Sequence, residues 1–272
     1  MTYDAVTLWV LILAIVIAYM SWVFLIALKI KRLDVVDIAW GGAFIMAACS
    51  SLLLGVRGWL QYAVTALVVI WGLRLSFYIL KRFRRSTKED ARYTNMRYGW
   101  RGSVALNAYA RIFLPQAFLA FLISASVIAI NFSSDTTVSL VAVIGIAVWV
   151  VGFLFEAVGD AQLRRHLADP ENKGKLMTTG LWRYTRHPNY FGEVVQWWGI
   201  YIIALSVHCA WWTIVSPIII TILILFISGV PLTEKHFEGR RGWAAYKRTT
   251  SAFLPLPPRS ADKEKLQRKG VV

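Results

Sequence analysis

Polar side chains that could hold a ligand recur at helical spacing in the second half of the chain. Within two sets the members are four residues apart and would line one face of a helix: Glu156, Asp160 and Arg164, then Asn189, Glu193 and Trp197. A loop with Gly174 and Gly180 separates the sets, and Pro188 allows the second helix to begin. Because arginine and lysine bind phosphates, and carboxylates and amides bind ribose or amide groups, the assembled pattern suits a nucleotide. Each residue taken singly would also suit a salt-bridged interfacial loop.

Two further charged residues lie inside an apolar run or close to its start. Asp37 enters the second run, either as a buried acid facing the cytoplasmic half of a bundle or as the partner of a helix N-terminus. Arg74, four residues before Tyr78, lies within the third run. An intramembrane arginine indicates a functional site, and the alternative is that its side chain snorkels towards the loop that begins with Lys81.

The elements that must position these residues are membrane-spanning helices. Hydrophobic residues make up 57% of the 272-residue chain, more than the roughly 45–50% of a soluble domain. A span needs roughly 20 mostly apolar residues, and seven runs are predicted as spans: 7–28, 35–54, 59–80, 112–130, 138–158, 194–206 and 211–230. The sixth run is short, so six spans are the alternative count.

The distribution of charge predicts the orientation of these spans. Lysine and arginine give the chain a net charge of +15 and gather in alternate loops, whereas 131–137 and 207–210 contain neither residue. Because these residues favour cytoplasmic loops, seven spans place the N-terminus outside and the C-terminus in the cytoplasm. Topology therefore explains the charge without a nucleic-acid partner. We also expect no metal, since no histidine and cysteine cluster has the spacing of a metal site.

Residues 180–193, which read GLWRYTRHPNYFGE, resemble the C-terminal signature of the steroid 5-alpha-reductase-like membrane proteins. The resemblance is to the bacterial branch that carries the DUF1295 domain, and residues 37–41, 89–93 and 255–258 share it. The wider superfamily also contains sterol reductases and isoprenylcysteine carboxyl methyltransferases, which have a related cofactor-binding half. We expect one all-α membrane domain over residues 1–258, with its cofactor-binding half at about 74–258, and a polar disordered tail over 259–272.

The resemblance implies a seven-helix protein of the bacterial inner membrane that binds NADPH from the cytoplasmic side. The implied reaction is reduction of a C=C bond conjugated to a carbonyl in a hydrophobic lipid. Counting between motifs puts Asp37 and Trp71 where steroid reductases have the Glu and Tyr that grip the substrate carbonyl. A protonated Asp37 would donate a hydrogen bond to the carbonyl oxygen. Trp71 can donate one hydrogen bond but cannot supply a proton, so the lipid stays open between a steroid-like enone and a fatty or isoprenoid enone.

The resemblance and the polar pattern together indicate the cofactor contacts. The expected residues are Arg74, Tyr78, Asp160, Arg164, Lys175, Arg186, His187, Asn189, Tyr190, Glu193, Trp197, Tyr246, Lys247 and Arg248. One alternative is a membrane methyltransferase that uses the same signature to hold S-adenosylmethionine. The phosphate-suited charge near Arg164 and Lys175 favours NADPH over that methyl donor. A non-enzymatic lipid-binding or transport protein ranks last, because the polar groups gather near one face of the membrane.

Overall fold

A computed structural model, which describes residues 4–259, is built from helices and confirms the predicted all-α class. The α-helices are α1 Ala5–Ile30, α2 Val35–Leu54, α3 Trp59–Arg85, α4 Ala91–Arg97, α5 Val104–Ala108, α6 Leu114–Ile123, α7 Ala125–Phe132, α8 Leu140–Ala168, α9 Pro188–Ala204, α10 Val215–Ile222, α11 Val230–Phe237 and α12 Trp243–Thr249. Short π-helical turns lie at Tyr109–Phe113 and Leu223–Ile227. Apart from residue 259, the predicted tail lies outside the described residues.

Six helical stretches within the described residues are long and apolar enough to cross a membrane. They are Ala5–Ile30, Val35–Leu54, Trp59–Arg85, Val104–Ile123, Leu140–Ala168 and Trp211–Phe237. The protein is therefore a multi-pass integral membrane protein. The predicted sixth span falls on α9, which has only 17 residues. The total of seven spans and the outward N-terminus stay predictions.

The fourth span differs from its predicted position. Sequence placed it at 112–130, whereas the helical stretch begins at Val104 and is interrupted at Ser124. Ser103 starts the stretch, since its hydroxyl accepts a hydrogen bond from the Leu106 N–H. Pro115 has no N–H to bond the carbonyl four residues before it, and a π-turn precedes it in which Leu114 N–H bonds the Tyr109 carbonyl.

The chain divides into two compact units. The first holds the residues up to Ile144 together with Ile200–Ile219, and the second holds Gly145–Gly199 with the residues from Ile220 onward. The predicted single domain over residues 1–258 stays a prediction. Each unit is described by itself below.

Close contact between glycines brings α2 and α3 together in the first unit. A Cβ at Gly41 would collide with the Gly72 carbonyl, and the Ser76 hydroxyl donates to the Ile38 carbonyl at 2.8 Å. α2 also packs against α1, α6 and α7. Small residues allow helix backbones to approach closely in a membrane, where packing and hydrogen bonds replace the hydrophobic effect between helices. The start of α2 is thereby fixed against α3.

A second glycine contact joins α8 and α9 in the second unit. A Cβ at Gly152 would lie 2.6 Å from the Gly192 carbonyl, and one at Gly199 would lie 2.7 Å from the Trp149 nitrogen. Gly192 and Gly199 are two helical turns apart, so the two helices stay close over that length. Side chains that follow these glycines on either helix therefore face each other across a short gap.

Candidate functional site

Charged residues of the first unit gather where α2 begins and around α4. We call this group, with one tyrosine, the Asp37 cluster; its members are Arg32, Asp34, Asp37, Glu89, Asp90, Arg92, Tyr93 and Arg97. Arg32 donates to both oxygens of Asp34, at 3.1 and 2.8 Å. Arg97 donates to Glu89 at 2.6 Å, and the same Glu89 oxygen accepts the Leu33 N–H. These bonds hold α4 and the loop before it against the start of α2.

Asp37 lies at the centre of this cluster. One carboxylate oxygen accepts a hydrogen bond from Arg92 at 2.6 Å, and the other accepts one from the Tyr93 hydroxyl at 2.5 Å. Arg92 also donates to both oxygens of Asp90 at 3.1 Å. Acceptance at both oxygens is the pattern of an ionised carboxylate, which is acceptor-only, whereas the protonated Asp37 that the sequence led us to expect stays a prediction.

Arg92 and Tyr93, the two donors to Asp37, keep their protons over the physiological range. Burial, and then the charge of Asp37, raise the pKa of Tyr93. Burial acts to lower the pKa of Arg92, but its hydrogen bond with Asp90 and the charge of Asp37 leave that pKa raised. Burial acts to raise the pKa of Asp90, yet hydrogen bonds from Arg92 leave it lowered. The cluster therefore presents a fixed guanidinium and a protonated phenol beside a carboxylate.

Three other predicted residues lie on α3 in the first unit. Trp71, predicted as a substrate contact, is 2% exposed and packs edge-on against Phe44 with ring centroids 5.2 Å apart. Arg74 and Tyr78, predicted as cofactor contacts, are half-buried further along the same helix. Asp37 on α2 and Trp71 on α3 thus belong to one unit, whereas the remaining predicted cofactor residues all belong to the other.

Paired amides and carboxylates connect α8 and α9 in the second unit, and we call the two pairs the amide ladder. Asn189 donates to Asp160 at 3.2 Å, and Gln196 donates to Glu156 at 2.6 Å. The carboxylates and Gln196 are buried, being at most 4% exposed. Within residues 4–259, no hydrogen-bond donor reaches the buried amide oxygen of either Asn189 or Gln196. The amide ladder thus contains two buried amide oxygens, those of Asn189 and Gln196, that can each accept a hydrogen bond.

The structure brings Asp160 and Asn189 together as the sequence pattern suggested, but it adds a residue that sequence reasoning missed. Gln196 interrupts the predicted apolar run 194–206, and a polar side chain in a membrane span is the signal that could have found it. Glu193 is half-buried on α9, and Trp197 is 2% exposed on the same helix.

Arg186 makes its contacts inside the second unit, and we call the group around it the Arg186 tie. Its guanidinium donates to Glu234 on α11 and to the carbonyls of Lys247 and Thr250 at the end of α12. Lys247 also pairs with Glu234, with 3.2 Å between Nζ and Oε2. Arg186 is only 6% exposed, so these bonds satisfy a buried cation. They fasten the segment before α9 to α11 and α12, and a cofactor contact for Arg186 stays a prediction.

His187 also lies against Glu234 of the Arg186 tie. The imidazole is 2% exposed, stacks on the Tyr190 ring at 5.3 Å, and places Nε2 3.6 Å from a Glu234 oxygen. The Tyr190 hydroxyl shares a 3.0 Å hydrogen bond with Thr233. Burial lowers the pKa of His187, although Glu234 acts in the opposite direction. His187 and Tyr190 therefore meet Glu234 and its neighbour Thr233 at the start of α9.

The remaining predicted cofactor residues are basic or aromatic. Arg164, Lys175, Lys247 and Arg248 are exposed. His166 bonds the Lys175 carbonyl at 3.2 Å, which places Lys175 beside the last turn of α8, the helix that carries Arg164. Tyr246 is buried and donates to the Trp182 carbonyl at 2.5 Å, and an open pocket of about 360 Å³ lies beside it.

Comparison with known proteins agrees with the resemblance carried by the motifs. The model of a family described as "Protein of unknown function (DUF1295)" matches residues 23–250. Over 64 residues, 24% of this chain, the sequence is 36% identical to the bovine (Bos taurus) 3-oxo-5-alpha-steroid 4-dehydrogenase 1. That match covers 25% of the bovine protein, so it spans about a quarter of the relative's length. No solved structure matches the chain.

Proposed function

The chain belongs to the DUF1295 family, and on that premise we propose that it is a membrane-embedded NADPH-dependent reductase. The substrate we propose is a hydrophobic lipid with a C=C bond conjugated to a carbonyl, reached from the bilayer of a bacterial inner membrane. The bovine relative named as a 3-oxo-5-alpha-steroid 4-dehydrogenase supports an oxidoreductase. The observation that carries the proposal is the amide ladder, because its two protected acceptors are suited to the donors of a nucleotide.

The chemistry of the second unit fits NADPH. Ribose hydroxyls and the nicotinamide carboxamide carry O–H and N–H donors, and the ladder offers the oxygens of Asn189 and Gln196 to accept them. The exposed cations Arg164 and Lys175 near the end of α8 suit phosphates. When bound, NADPH would supply hydride chemistry, and the protein's part is to bind and orient.

The Asp37 cluster would then hold the polar end of the substrate. Negative charge builds on the carbonyl oxygen during reduction, and a fixed cation beside that oxygen stabilises the charge. Arg92 supplies such a cation, and the bonds to Asp37 hold Arg92 and the Tyr93 hydroxyl in place. We therefore give Asp37 a positioning role in which it stays ionised, and Trp71 would orient the substrate with its ring.

The experiment that tests the cofactor is a thermal shift of the protein purified in mild detergent. NADPH, NADH and S-adenosylmethionine are added separately. A ligand at 100 times its Kd adds about 2.7 kcal/mol to the free energy of unfolding, which is a readable shift. We expect NADPH to stabilise the wild type and the variant Asn189→Ala with Glu193→Ala to lose that response. Stabilisation by S-adenosylmethionine alone would overturn the proposal in favour of a methyltransferase.

A second measurement tests the reaction. NADPH oxidation is followed with a steroid enone, a fatty enone and an isoprenoid enone, each beside its saturated counterpart. We expect oxidation with at least one enone and none with the saturated lipids. Binding of NADPH without turnover on any conjugated enone would keep the cofactor and overturn the proposed substrate class.

A further inference from the structure

We propose that Gln196 is a positioning residue that accepts a hydrogen bond from the carboxamide N–H₂ of the nicotinamide ring, with Glu156 fixing the orientation of the Gln196 amide. The inference rests on the proposed function, since it assigns part of the NADPH site. It adds a residue that neither the sequence signature nor the resemblance contains.

The first step is the setting of Gln196. The side chain is 1% exposed and projects from α9 towards α8. Its nitrogen donates to Glu156 at 2.6 Å and to the Gly192 carbonyl at 3.3 Å. In the part of the chain that the structure describes, no donor reaches its oxygen. A buried carbonyl oxygen that lacks a donor is unfavourable, so a ligand N–H placed there would gain the full benefit of the bond.

The second step is that Glu156 decides which end of the amide is offered. A carboxylate can only accept, so the Gln196 N–H₂ must face Glu156 and the oxygen must face away. A ligand at this position therefore has to be a donor. The nicotinamide carboxamide carries such a donor, whereas a methyl ketone of the same shape does not.

The third step is repetition along α9. Asn189 shows the same arrangement two turns earlier, with its nitrogen on Asp160 and its oxygen without a donor in residues 4–259. Seven residues of helix correspond to about 10.5 Å. Two acceptors with one chemistry on one helix suit a long ligand with separate donors, such as the ribose and carboxamide of one nucleotide.

Gln61 in the first unit shows why a single such oxygen is not enough. Gln61 is fully buried, and its oxygen also has no donor among the described residues. Its nitrogen, however, donates to three backbone carbonyls, those of Ile130, Ser133 and Asp135, at 2.9–3.2 Å. That arrangement caps a loop, and no second amide repeats it nearby on α3. Gln61 is therefore the matched control for Gln196.

The test compares NADPH with its reduced 3-acetylpyridine analogue, in which a methyl group replaces the carboxamide N–H₂. Dissociation constants are measured by calorimetry on the full chain in detergent. We expect the wild type to bind the analogue about tenfold more weakly, as for the loss of one well-placed hydrogen bond. Gln196→Met should bind NADPH about tenfold more weakly and bind both compounds equally. Gln61→Met, with lower thermal stability, should keep the wild-type preference.

Each outcome decides between the two proposals. If the wild type binds neither compound, the proposed function fails and this inference fails with it. If the wild type binds NADPH but Gln196→Met keeps the tenfold preference, only this inference is overturned. Where Gln196→Met does not fold, the wild type alone answers the question: equal binding of NADPH and its acetylpyridine analogue by the wild type would overturn the assignment.

Discussion

The two units both pair carboxylates with arginines, but they do so at different depths. In the Asp37 cluster the side chains of Arg92 and Arg97 are 39% and 33% exposed. In the Arg186 tie the arginine side chain is 6% exposed and its Glu234 partner 13% exposed. A buried cation must be satisfied by the protein itself, whereas a half-exposed one can still meet a ligand. The comparison indicates a structural role for the Arg186 tie, whose cofactor contacts stay predictions, and leaves the Asp37 cluster available for chemistry.

The partners of the two groups support this difference. Arg186 reaches carbonyls of the chain as well as a carboxylate, so it fastens segments together. Within residues 4–259, the side-chain hydrogen bonds of Arg92 go to the carboxylates of Asp37 and Asp90. Removing the first should damage the fold, and removing the second should alter the site.

The largest expected effect comes from breaking the Arg186 tie. Arg186→Ala removes a buried guanidinium that bonds Glu234 and the carbonyls of Lys247 and Thr250, which we expect to lower the free energy of unfolding by about 3–5 kcal/mol. Arg97→Ala is the control, since Arg97 is one-third exposed and bonds one carboxylate, a pairing that contributes about 1 kcal/mol or less. Denaturant unfolding of both variants without cofactor measures the difference. Equal, small losses would show that the two groups do not differ as proposed.

A second, smaller effect concerns the close contacts between helices inside each unit. In Gly192→Ala the new Cβ would lie 2.5 Å from backbone atoms of Gly152 and Glu156, so we expect a loss of about 1–3 kcal/mol and weaker NADPH binding. Gly72→Ala meets the flexible Ile45 side chain as well as backbone and should lose less.

Gly99→Ala serves as the control for this second prediction. Its Cβ would have no neighbour closer than 3.9 Å, so unfolding should not change. Thermal unfolding of the three variants ranks them. A loss in Gly99→Ala as large as in Gly192→Ala would mean that the close approach of α8 and α9 does not decide stability.

A third comparison uses one tyrosine from each unit. The Tyr93 hydroxyl donates to the carboxylate of Asp37, whereas the Tyr246 hydroxyl donates to the neutral carbonyl of Trp182. Bonds to charged groups contribute about 1.5–3 kcal/mol and neutral ones about 1 kcal/mol. Tyr93→Phe should therefore destabilise more than Tyr246→Phe when unfolding is followed in denaturant. The reverse order would argue against an ionised Asp37.

Hydropathy predicted a span well where a polar residue or glycine flanks each end of the apolar run. The run 35–54 coincides with α2 because Asp34 and Gly55 flank it. Hydropathy misplaced the fourth span, because Asn107 and Arg111 lie inside the helical stretch and interrupt its apolar pattern.

In the candidate site, the contacts within a helix could be predicted from sequence, whereas contacts between distant residues could not. The spacing of Asp160 from Glu156, and of Glu193 from Asn189, indicated two helices that each carry a polar face, since helical periodicity is local. The pairing of Arg186 with Glu234, 48 residues apart, has no local signal. The contact between Asp37 and Tyr93, 56 residues apart, likewise depends on how α4 folds back onto α2.

The smallest expected effect is a pH dependence that separates the tie from the cluster. Burial lowers the pKa of His187 below its ordinary value of 6.5, so the unfolded chain binds this proton more readily than the folded one. Stability should therefore fall as the pH decreases from about 6.5 towards the lowered pKa, and stay unaffected by His187 above that window. His187→Phe keeps the stacking on Tyr190 but cannot titrate, and unfolding measured on both sides of the window should show a shallower slope. Arg186 and Glu234 also face His187, so an unchanged slope in His187→Phe would assign the pH dependence to the pair and not to the imidazole.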